Sequence, residues 1–165
     1  LAWVERAKKK VLKLRASLEV SQTEPRLTIA YSVTNTPLDN LAWNFREGKF
    51  DNQEDFLNAV VKYNEEVQSI GGEKVKEILG RKIESIGSET RFVLFDEDSE
   101  EAERQEIREV HLTSDDGISF SAGEILFKLN RTLYPMLADS DAIFFEGFSV
   151  ITDEGSIHCR LHLGS

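Results

Sequence analysis

Residues 142–163 read AIFFEGFSVITDEGSIHCRLHL, and this stretch decides the class of fold. Two strand-like segments, 142–151 and 156–163, flank Asp153-Glu154-Gly155. Glycine at the end of a three-residue connection is a common hairpin signal, because it takes positive φ without strain. In the second arm His158, Arg160 and His162 alternate with Ile157, Cys159, Leu161 and Leu163. Successive strand side chains point to opposite faces, so one face is polar and the other apolar. A three-residue loop sets residue 152 opposite residue 156. Glu146 then faces His162, Phe148 faces Arg160 and Val150 faces His158.

Upstream, the apolar spacing switches between a period of two and a helical period. Leu27, Ile29, Tyr31 and Val33 alternate with small or polar residues, a half-buried strand that Asn35-Thr36-Pro37 closes because proline cannot donate to a ladder. Leu41, Trp43 and Phe45 predict a short strand over 41–46. Asp51 and Glu54 suit a capping box ahead of a helix striped by Phe56, Val60, Tyr63, Val67 and Ile70, with Gly71-Gly72 as its stop. A helix over 73–86 carries Val75, Ile78, Leu79, Ile83 and Ile86 and stops at Gly87. Arg91 to Phe95 reads as a strand buried on both faces. Residues 105–113 read as its return, with a helix over 99–109 as the alternative. Ser114 to Gly117 is a turn, and Ser121 with Glu124 caps a helix whose core side is Ile125, Leu126, Leu129, Leu133 and Leu137, with Pro135 near its end. Val4, Ala7, Val11, Leu14 and Leu18 form a helical stripe among six Lys and Arg, so residues 1–19 are expected to be an amphipathic basic helix. Strands and helices come in blocks. The expectation is α+β: a single domain over 1–165, with a mainly antiparallel sheet of about five to six strands, four helices packed on it and a C-terminal β-hairpin.

The chain has 165 residues, with 30 acids against 20 bases and a formal charge of −10. The acid excess opposes general, charge-driven binding to nucleic acid. No apolar run approaches the roughly 18 residues of a membrane span. A single cysteine, Cys159, excludes a disulfide framework within the chain and a thiolate cluster for zinc. It also leans towards a reducing compartment, so a cytoplasmic location is expected. The sequence begins at Leu1 rather than Met, which leaves room for a removed signal peptide. Asn130-Arg131-Thr132 matches the glycosylation acceptor pattern, although inside a helical stretch. Neither a phosphate-binding glycine loop nor a serine between spaced glycines occurs, and no cofactor is expected.

The charge is unevenly spread. Residues 1–20 hold six bases and two acids, whereas residues 96–116 hold ten acids against Arg104 and Arg108. Asp96, Glu97, Asp98, Glu100, Glu101 and Glu103 form the densest part, read as a charged loop. A patch of one sign steers a partner of the other sign and raises its association rate. Calcium binding is a poor reading, since 96–106 lacks a glycine at the sixth loop position.

These features lead first to a non-catalytic interaction module that binds a basic protein through those six acids, in the manner of immunity and inhibitor proteins. That is an analogy of charge and size. The alternative is a small metal-independent hydrolase, ribonuclease-like. In it Glu146 takes a proton, His162 gives one and Arg160 holds the phosphate. A metal site is not expected, because His158 and His162 lie about 13 Å apart along a strand at roughly 3.3 Å per residue. A third reading is a regulatory or assembly subunit that docks through residues 1–19. Self-association stays open.

Overall fold

The computed structural model describes residues 32–35, 37–95 and 106–164. The expected basic helix 1–19, most of the strand 27–34 and the six acids of 96–103 lie outside the described residues. Strand β1 (Ser32–Asn35) ends where the proline predicts, and Pro37–Asn40 forms a 3-10 turn. Strand β2 (Trp43–Asn44) is shorter than expected, because only these two residues reach a partner strand. Leu41, Trp43 and Phe45 are nevertheless all buried.

Helix α1 (Gln53–Gln68) is capped by Asn52, whose Oδ1 accepts from the Asp55 amide at 2.9 Å, one residue after the expected Asp51. It ends at Ser69 in the left-handed region, ahead of the two glycines. Its buried face is Phe56, Val60 and Asn64, while Val67 is 59% exposed. Helix α2 (Gly72–Gly80) stops short of the expected 73–86. Strand β3 (Lys82–Ile83) and a 3-10 turn, Glu84–Ile86, follow it, and still bury Ile83 and Ile86. Strands β4 (Glu89–Phe95) and β5 (Glu106–Thr113) pair antiparallel from Glu89↔Thr113 to Phe95↔Glu106. The helical alternative therefore fails over Glu106–Glu109. Strand β6 (Phe120–Ser121) pairs with β3 and leads into helix α3 (Ala122–Met136), where Ser121 Oγ accepts from the Glu124 amide at 3.1 Å, one half of the expected capping box, while the Glu124 carboxylate accepts from the Asp115 amide instead. Strands β7 (Phe144–Asp153) and β8 (Ser156–Gly164) complete the fold.

The main sheet runs β1-β7-β8-β4-β5, with β2 also on β7. It is mixed rather than mainly antiparallel, because β8 joins β4 in parallel through Phe92↔Cys159 and Val93↔Arg160. The crossover between the two hairpins, through α3, brings β8 beside β4 running in the same direction. Three α-helices stand among the described residues, rather than the four expected for the whole chain. All three contribute to one core with the sheet: Phe56 and Val60 from α1, Val75 and Ile78 from α2, Ile125 and Leu129 from α3, against Phe92, Leu112, Phe148 and Cys159.

Polar side chains tie these layers. Trp43 Nε1 donates to Asn130 Oδ1 at 2.9 Å, and Asn130 Nδ2 donates to the Gly48 carbonyl at 3.1 Å. Asn130 is only 1% exposed, so the folded domain does not present it as a glycosylation acceptor. Asn64 exchanges hydrogen bonds with the Ala42 amide and carbonyl, each at 2.9 Å. Arg46 donates to the carbonyls of Leu137, Ala138 and Ser140, and Arg108 to that of Met136. Two guanidinium groups thus sit at the negative end of α3.

The turn before β6 rests on Asp116, which accepts from the amides of Ser119 at 3.0 Å and Ile118 at 2.8 Å. These bonds, Ser119 foremost, hold its pKa at about 2 instead of 3.8. A depressed folded pKa stabilises above the unfolded value and is lost as pH falls through the folded one. The stability deficit of Asp116→Ala should therefore be fully present at neutral pH and shrink between about pH 4 and pH 2. Denaturant unfolding across that range tests this, and a deficit independent of pH would refute the role of the carboxylate. In the same assay Asn130→Ala should cost about 1–3 kcal/mol, because it strands the buried Trp43 N–H. A loss below about 0.5 kcal/mol would show that the bond is dispensable.

Candidate functional site

The sheet has one face in the core. Phe92, Leu94, Val110, Leu112, Phe148, Val150, Cys159 and Leu161 all belong to it. Alternation then sets Arg91, Val93, Glu109, His111, Ser149, Ile151, His158, Arg160 and His162 on the second face. The chain has three histidines, and all three are there. The expectation that His158, Arg160 and His162 share a face is met. His111 is an addition that the sequence reading missed, because its place depends on β4 lying beside β8.

The register differs from the expected one. Asp153 pairs with Ser156, so the hairpin turn has two residues, Glu154 and Gly155, with φ of 47° and 80°. Positive φ at both positions is the geometry that matches the right-handed twist of paired strands. The ladder shifts accordingly: Ser149 faces Arg160 and Ile151 faces His158, in place of Phe148 and Val150. Further along, Phe145 pairs with Leu163 and Phe148 with Leu161, so Glu146 and Gly147 together oppose His162. This is a β-bulge, with Gly147 at φ 96°. It returns Glu146 to the second face, but the Glu146 carboxylate lies across Gly164, in the space that a Cβ there would fill. His162 Nε2 meets Ser149 Oγ at 2.8 Å.

A second polar group forms on β4 and β5. Glu109 Oε1 lies 3.3 Å from Arg91 Nη1 and 3.0 Å from His111 Nε2. Arg91 and His111 are direct cross-strand partners. Beside them a shallow depression of about 290 Å³ is lined by Glu89, Thr90, Arg91, His111, Leu112 and Thr113. The His111 side chain is 76% exposed, so water reaches this group freely. Proton transfer there would lack the excluded, preorganised setting in which charge stabilisation is strong. Between the clusters Val93 and Ile151 are buried on the same face.

No protein-family model, no curated protein and no solved structure matches this chain. Its chemistry must be read from the side chains themselves. Among the described residues no group of three or more His, Cys, Asp or Glu could hold a metal ion. Cys159 is buried beside Thr90 Oγ1 at 3.4 Å, and burial pushes its thiol up to about 11. It is therefore protonated at neutral pH and packs as a small apolar side chain. No described helix is long and apolar enough to cross a membrane.

One charged cluster escaped the sequence reading. Lys128 Nζ lies 2.9 Å from both Asp115 Oδ1 and Glu124 Oε1, and also donates to the Thr113 carbonyl. Burial works against the ammonium, but the two carboxylates outweigh it and hold its pKa above the usual lysine value. Glu124 Oε1 also accepts from the Asp115 amide at 2.6 Å. The ammonium and this carboxylate are thus engaged in fastening the end of β5 to the first turns of α3.

The turn geometry is directly testable. Glu154 pays the left-handed penalty of a residue with a Cβ, of the order of 1 kcal/mol. Asn occupies that region far more readily, so Glu154→Asn should raise stability by about 0.5–1 kcal/mol in denaturant unfolding. Unchanged or lower stability would contradict a two-residue turn.

Proposed function

We propose that this chain is a non-catalytic interaction module, of the immunity or inhibitor type, that binds a basic partner protein. The carrying observation is where the acidic run is anchored. Phe95 and Glu106 are register partners, so the stretch with Asp96, Glu97, Asp98, Glu100, Glu101 and Glu103 starts and finishes at neighbouring strand ends. Six acids fall within the eight residues 96–103 of the sequence, and like charges so close in sequence add their fields. Exposed acids on α1 support the same reading. Glu54, Asp55, Glu65 and Glu66 all face solvent, and Lys62 is their only base, 4.0 Å from Glu66. Apolar side chains near the run would supply affinity, while the charges supply rate and selectivity.

The hydrolase reading with Glu146, Arg160 and His162 draws less support. Its acid–base pair needs the Glu146 carboxylate at His162, whereas that carboxylate lies across Gly164 and His162 Nε2 meets Ser149 Oγ. The interaction reading needs no cofactor and suits a reducing compartment such as the cytoplasm.

The test is to recover basic proteins on the intact chain from its native host and measure binding of the one retained. Reversing Glu100, Glu101 and Glu103 to Lys together should weaken binding at least tenfold, about 1.4 kcal/mol, and flatten its dependence on salt. Affinity unchanged by the reversal and by salt would remove the acidic run from the mechanism. RNA cleavage by the purified protein that His162→Ala abolishes would instead establish the hydrolase.

A further inference from the structure

We draw no further inference here: the strongest candidate, the cluster of Arg91, Glu109 and His111 beside the depression between β4 and β5, carries nothing because it belongs to the sheet face already described and nothing in the structure shows what covers that face.

Discussion

Strand β8 lies in the middle of the main sheet, antiparallel to β7 and parallel to β4, and it joins the two halves of that sheet. Cys159 and Leu161 point into the core, while His158, Arg160 and His162 point away from it. A slip of one residue would exchange the two sets and bury imidazole and guanidinium groups without water. Two local devices prevent the slip. The tight turn at Glu154-Gly155 sets the count at one end of the hairpin. The bulge at Glu146-Gly147 resets it at the other. Phe145 and Phe148 are three residues apart and would face opposite sides of a regular strand, yet both are buried on the core side. The bulge reconciles their burial, and Phe148 then meets Phe92 edge to face at 5.0 Å between centroids.

The helical layer is held to this sheet by a few buried amides as well as by apolar contact. Asn64 and Asn130 each bind main chain or indole across more than twenty residues of sequence. Such groups add direction to an otherwise non-directional core, because each has few positions in which its hydrogen bonds are met. The T-shaped contacts of Trp43 with Phe56 and Tyr63 gather α1 around the same point.

The α+β class, helices α1 and α3, and the C-terminal hairpin were legible because each rests on local signals: period, caps and a turn glycine. The shortening of α2 was not. Val75, Ile78, Leu79, Ile83 and Ile86 keep a helical spacing, yet the last two are buried through a strand and a 3-10 turn. The partner that draws Ile83 out of the helix is Phe120, far along the chain. The parallel contact of β8 with β4 was hidden for the same reason. For the candidate site, alternation correctly grouped His158, Arg160 and His162, which needs only a parity. Their cross-strand partners require a count: the two-residue turn changes it by one and gives Arg160 and His158 the partners Ser149 and Ile151, and only the bulge brings Glu146 back opposite His162.

The central position of β8 also sets an order of assembly. During synthesis the β4–β5 pair and strand β7 emerge before the strand that must lie between them. Until Ser156–Gly164 has left the ribosome, the facing edges of β4 and β7 have no mutual partner, and their main-chain donors and acceptors stay with water or with chaperones. A chain cut before β8 would lack the strand that joins the two halves of this sheet and would leave the facing edges of β4 and β7 unpaired, a template for association with other chains.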